Sequence, residues 1–257
     1  MLAMFIVGAV FGNLTVSGLT FALGHDFVSE YGNIISYPII FIPPIIYAAV
    51  QSRRQKEFTP ENVLDNGHFG RLGRFVPFLI SVPAVIATAY VVEPIIALLP
   101  QMPQWLEDMM KQLMEKSPLW VTIISVSVFA PIFEEWLCRG MILRGLLANR
   151  FSPASAIAVS SIFFAVLHIN PWQAIPAFIL GCLFGYVYYR TGSLKLTMFM
   201  HCVNNSAAII FSKIPSFKEA ETFMDVLSPW AYWSIYAACL LIAASSIVIF
   251  SSTGYKK

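Results

Sequence analysis

Long apolar runs recur along the whole chain, and such a run folds as a helix whose backbone bonds are all satisfied within itself across a bilayer. The first reads MLAMFIVGAVFGNLTVSGLTFALG. Only 12% of the 257 residues are charged and 58% are apolar, whereas a soluble domain carries about 25% charged residues. The fold class is therefore all-α, a polytopic integral membrane helical bundle. A net charge of +2 gives no argument for nucleic acid. The first run lacks a basic leading region and exceeds the roughly 7–15 apolar residues of a secretion signal, so it reads as a retained first helix.

About eight transmembrane helices are expected, near 2–23, 34–51, 75–99, 119–146, 153–168, 172–189, 195–212 and 229–251. Tyr37-Pro38 and Pro43-Pro44 predict a bent second helix. Residues 53–74 form the longest polar loop, and 101–118 read as an amphipathic interfacial helix with Trp105, Met109, Leu113 and Met114 on its apolar face. No repeat or low-complexity segment divides the chain, which reads as one membrane domain, 1–257. With both termini on one side, that side holds Arg53, Arg54, Lys56, Arg71, Arg74, Arg144, Arg150, Arg190, Lys195, Lys256 and Lys257, and the other only Lys111, Lys116, Lys213 and Lys218. Eleven against four puts both termini in the cytoplasm. The four cysteines (Cys138, Cys182, Cys202, Cys239) lie in apolar segments without CxxC spacing and read as small hydrophobes.

The fourth span is interrupted by APIFEEWLCRG, residues 130–140. A charge near a helix centre costs about 2.5–3.5 kcal/mol, so Glu134, Glu135 and Arg139 together cost roughly 8–10 kcal/mol before any pairing. On a regular helix Glu135 and Arg139 are i,i+4 with the acid first, the favourable order for an ion pair. Glu134 lies about 100° around, with Cys138 as its i+4 neighbour. Glu134 thus needs a partner from elsewhere and is the candidate for general acid–base work. Taken alone, these residues fit an ion-pair lock or a proton pathway equally well.

Two further clusters change the balance. Span five ends FFAVLHINP, with Phe164 and His168 at i,i+4; span seven begins LTMFMHCVNNSA, where His201 and Asn205 share a face and Asn204 flanks it. His25 and His68 fall in expected loops, so both intramembrane histidines sit beside what read as the only other strongly polar residues of the spans. A lone histidine is more often a core or capping residue, and an asparagine pair is ordinarily interhelical glue of about 0.6–2 kcal/mol. Acids, an arginine, two histidines and an asparagine on three helices form a candidate site.

Glu134-Glu135-xxx-Arg139, Phe164-xxx-His168 and His201-xxx-Asn205, in this order, resemble the three motifs of the CPBP family, which includes CAAX-processing endopeptidases of the Rce1 type and bacterial ABI-type proteases. The resemblance runs from about 119 to 212, the motif-bearing core. It takes in YRTGSL at 189–194 and the GCLFG of span six, whose Gly181 and Gly185 permit close helix packing. It implies an intramembrane, glutamate-dependent endopeptidase without a resident cofactor or metal. By motif position, Glu134 and His168 would activate water. His201 and Asn205 would donate to the oxyanion, and Glu135 and Arg139 would organise the site. The two donors of span seven on one face suit that role.

Other chemistries stay open at this point. A zinc peptidase would use His168, His201 and a glutamate as ligands, although HExxH is absent. A cysteine peptidase would use Cys138 or Cys202, but Cys202 points about 100° away from His201. A transporter using the same charges as a relay, or a non-catalytic scaffold binding membrane peptides, would carry the same cluster. The expected partners are the bilayer and a peptide or protein substrate, cut near its C-terminus or beside the membrane and entering from the cytoplasmic side. His201 lies roughly 9 Å, and Glu134 roughly 18 Å, from the cytoplasmic ends of their spans. A straight span five would carry His168 to the far side, so that helix must be short, steeply tilted or deeply set.

Overall fold

The structure, a computed structural model, describes residues 1–54, 64–218, 220 and 222–253, without the side chains of 52–54, 113–115 and 218. Leu113 and Met114 of the expected interfacial face, residues 55–63 of the polar loop, and Arg53, Arg54, Lys56, Lys218, Lys256 and Lys257 of the charge count therefore lie outside the described residues or side chains. The helices are α1 (Leu2–Leu23), α2 (His25–Arg54), α3 (Val76–Ile96), α4 (Gln104–Glu115), α5 (Leu119–Ala148), α6 (Pro153–Val166), α7 (Pro171–Thr191), α8 (Leu194–Lys213) and α9 (Pro229–Ser251), and no strand occurs among the described residues. Among those residues, α1, α2, α3, α5, α7 and α9 are long and apolar enough to cross a membrane. The chain is a multi-pass membrane protein.

All eight expected segments are helical, but two of them, α6 and α8, fall outside the six described helices that are long and apolar enough to cross. At 14 residues α6 is roughly 21 Å long, short of a hydrocarbon core of about 30 Å. Helix α8 has the length but holds His201, Asn204 and Asn205. Helix α2 begins at His25, well before the expected start, so His25 is helical rather than in a loop, and the helix continues through Pro38, Pro43 and Pro44. The expectation that the motif residues exhaust the strongly polar groups of the spans is also corrected: Glu93, 9% exposed, is buried near the end of α3.

Helix α5 departs from regular geometry. It is π-helical over Ile123–Phe129 and Trp136–Leu143, with only Ala130–Glu135 regular between them. Pro131 accounts for the first stretch. In an α-helix its ring would press on the carbonyl four residues back, and a wider turn just before it relieves that crowding. In the second stretch the Cys138 carbonyl accepts a bond from Ser160 Oγ at 2.8 Å. The ideal i,i+4 spacing assumed for residues 134–139 therefore does not hold through Arg139; π-turns of this kind concentrate at functional sites.

Residues group into two compact units, with the division falling inside α5. Unit 1 comprises Met1–Val63 and Gln101–Leu137. Here α1 lies on α2 through Gly8-xxx-Gly12: a Cβ at Gly8 would sit 1.8 Å from the Ile40 carbonyl oxygen. In lipid, close backbone approach of this kind replaces the hydrophobic effect as the source of helix association. The buried Phe41 packs against Phe5 (5.7 Å) and stacks on Phe133 (5.0 Å). On α4, Leu106 is buried while Trp105 and Met109 stay exposed.

Unit 2 comprises Leu64–Pro100 and Cys138–Lys257. Its core gathers Val85, Leu180, Leu183, Phe184, Val187, Leu196, Met200 and Phe250. Helices α6 and α7 form an antiparallel hairpin. Gly181 faces Ser161 and Gly185 faces Ile157, where added Cβ atoms would come within 3.2 and 3.1 Å. The side chains of Ser152, Asn170, Ser193 and Ser228 cap α6, α7, α8 and α9. Gly192, at φ 66°, turns the chain from α7 into α8.

Candidate active site

In unit 1, Glu134 and Glu135 close the regular stretch of α5. Glu135 is fully buried and Glu134 half-buried. Glu134 Oε1 accepts a hydrogen bond from the Tyr37 hydroxyl of α2. The Tyr37 ring is itself set by Phe41 at 5.5 Å and Phe133 at 6.5 Å. A partner from another segment is what the sequence required of Glu134, and Tyr37 was visible there only as the residue before a bend-forming proline.

In unit 2, Arg139, His168 and His201 meet on one ring, that of Phe164. Arg139, fully buried, donates from Nη2 to the Gly181 carbonyl at 2.8 Å. Its guanidinium carbon stands 4.7 Å from the centre of the Phe164 ring and 5.5 Å from that of Phe184. The His168 ring meets Phe164 edge-on at 5.2 Å, and the buried His201 ring meets it edge-on at 5.3 Å. Phe184 backs His201 from 5.8 Å. Phe164, 2% exposed, is thus a shared platform for one cation and two imidazoles. Motif position gave it no such weight.

The turn between α6 and α7 explains the place of His168. Helix α6 stops after Val166, Ile169 takes the left-handed conformation at φ 63°, and Asn170 caps α7 by accepting from Gln173 N at 2.9 Å. Span five is short, as one of the three options for it required. His168 Nδ1 lies 3.0 Å from the Phe164 carbonyl oxygen. A carbonyl can only accept, so Nδ1 carries the proton and the lone pair of the neutral ring is on Nε2. That tautomer can take a proton from water.

On α8, Asn204 Nδ2 donates to Asn205 Oδ1 at 3.1 Å. That bond occupies one acceptor position of the Asn205 side-chain oxygen. Asn204, which by spacing flanks the face shared by His201 and Asn205, is joined in this way to the Asn205 side chain. Among the described residues no group of three or more His, Cys, Asp and Glu side chains is placed to hold a metal ion. The arrangement offers a tyrosine-held carboxylate in one unit. In the other it offers an imidazole lone pair, a second imidazole, an amide donor and a buried guanidinium.

Residues 116–207 match the family model described as type II CAAX prenyl endopeptidase Rce1-like. The chain is also 30% identical over 97 residues to the membrane-embedded CAAX protease MroQ of Staphylococcus aureus (strain USA300), across 35% of this chain. The matched stretch spans only 39% of that relative's length. No solved structure matches the chain.

Proposed function

We propose that this multi-pass membrane protein, whose residues 116–207 match the Rce1-like family model, is a CAAX-type endopeptidase of the CPBP family hydrolysing a peptide bond at the bilayer. Glu134 is the base that deprotonates the attacking water, oriented by Tyr37, and His168 assists through Nε2. His201 and Asn205 donate to the oxyanion of the tetrahedral intermediate, where one donor is worth about 10²–10³ in rate. Glu135 and Arg139 hold the motif segments in place. The whole chain acts as one membrane domain with its motif-bearing core near 119–212. The basic-residue asymmetry supports cytoplasmic termini and a substrate reaching the site from that side.

The observation that carries this reading is the junction at Phe164, where Arg139, His168 and His201 converge on one ring. An ion-pair lock between helices has no use for two imidazoles held edge-on to a common support, one with its lone pair set by tautomer. Comparing membrane-protein termini in cells with wild-type or Glu134→Ala protein tests the activity and identifies its substrates. Wild-type cells should contain new C-termini that the variant lacks. Identical termini, together with ion or solute flux in liposomes, would replace the peptidase by a transporter.

A further inference from the structure

Glu93 takes no part in the motif cluster, yet it is buried among aromatic rings at the wall of a cavity of about 190 Å³. Phe211, Phe217 and Phe223 line that cavity with Ser212, Ala220 and Thr222. The three rings pack edge to face, 5.0–5.4 Å apart, and Tyr90 meets Phe223 at 5.1 Å. The carboxylate is held in place: Oε1 accepts from the Phe223 backbone N–H, and the Tyr232 hydroxyl interacts with it as well. Oε2, also buried, has no well-formed hydrogen bond. Among the described residues no lysine or arginine pairs with Glu93, and Asp225 adds a second negative charge nearby. Asp225 is itself fixed by Thr222, whose backbone N–H donates to Oδ2 at 2.7 Å.

A buried carboxylate oxygen needs a donor, and a carboxylate site lined by aromatic side chains favours a cation. A cavity of about 150 Å³ holds a benzene-sized group, so this one admits a small organic cation. We propose that the Glu93 cavity binds a primary ammonium group, of the kind carried by an ethanolamine lipid headgroup. A primary ammonium can donate an N–H to Oε2 and keeps two more for neighbouring acceptors, whereas a quaternary one has none to donate. The position fits a headgroup. Glu93 lies three residues before the end of α3, and the cavity's other wall precedes α9, whose first turns expose Trp230 (81%) and Trp233 (49%). Exposed tryptophans at a span's end mark the membrane–water interface.

The test uses full-length protein in nanodiscs containing either phosphatidylethanolamine or phosphatidylcholine. Lipid retained after gentle extraction is measured by native mass spectrometry, and free ethanolamine is titrated separately. Wild type should retain phosphatidylethanolamine at least tenfold over phosphatidylcholine, and Glu93→Gln should lose that preference. Phe217→Leu, which keeps an apolar wall while removing one ring, should weaken retention and covers the case in which Glu93→Gln fails to fold. Free ethanolamine competing for the site would show that the ammonium suffices; failure to compete, with retention intact, would assign the site to the whole lipid. Equal retention of both lipids by wild type, or a preference unchanged in both variants, overturns the proposal. So does binding of a lysine-bearing peptide in place of the lipid.

Discussion

Phe164→Leu separates a shared aromatic platform from ordinary core packing. Lipid is as apolar as leucine, so burial contributes little to this substitution and the ring-specific interactions dominate. A desolvated guanidinium over a ring is worth about 2 kcal/mol, and each of the two edge-on imidazole contacts about 0.5–1.5 kcal/mol. The expected loss is therefore about 3–5 kcal/mol. Phe184→Leu is the comparison: Phe184 meets Arg139 at 5.5 Å and the one imidazole of His201 at 5.8 Å, and its replacement should lose less, about 2.5–3.5 kcal/mol on the same values. Stability is read from unfolding of the purified full-length protein in mixed micelles. Activity is read from initial rates on a fluorophore–quencher peptide reconstituted with it. With His168 and His201 released from their common support, Phe164→Leu should lower kcat at least tenfold while leaving KM nearly unchanged. A Phe164→Leu protein as stable and as active as Phe184→Leu would refute the platform argument.

Gly8→Ala should separate α1 from α2 and lower the unfolding midpoint markedly, because the Ile40 carbonyl oxygen cannot move aside as a side chain would; Gly18→Ala, with open space at its Cβ, should be neutral or slightly stabilising in the same assay. His201→Ala and Asn205→Ala should each cut kcat about 10²–10³-fold with substrate binding little changed, and Asn205→Asp should be worse than alanine because it places negative charge where an oxyanion forms. Asn204→Ala should fall between wild type and Asn205→Ala, since it releases the Asn205 amide. Exhaustive chelation should leave cleavage rates intact; loss of activity restored only by Zn²⁺ would move the water-activating role from Glu134 to a metal.

The positions of the helices were legible because hydropathy reports length and apolarity directly, and every segment from 2–23 to 229–251 is helical. Helix α5 shows where that legibility stops. Its apolar residues disguise two π-helical stretches, one running up to Pro131 and one whose Cys138 carbonyl accepts from Ser160, a residue beyond the helix itself. The motif residues could be read from spacing, but their partners could not. Tyr37 is far from Glu134 in sequence, and Phe164, though its motif position was legible, becomes a shared platform only once Arg139 and His201 are placed around it. The bond between the Asn204 and Asn205 side chains could not be read either, because angular position on a helix says nothing of a hydrogen bond between adjacent side chains. Glu93 escaped notice because a single acid near the end of a span reads as an interfacial residue, whereas Phe211, Phe217 and Phe223 enclose it from segments far along the chain.

The central claim, that Glu134 directs water onto a peptide bond, is tested most directly by single-turnover cleavage in H₂¹⁸O with enzyme in excess over peptide. The full-length wild-type protein and Glu134→Gln, which keeps shape and loses basicity, are compared at equal yield. Wild type should release a product whose new C-terminal carboxylate carries one ¹⁸O on the first turnover, and Glu134→Gln should release none. A first-turnover product without ¹⁸O, with the label arising in the Glu134 carboxylate instead, would make that residue a nucleophile. Cleavage by Glu134→Gln at the wild-type rate would contradict the account outright.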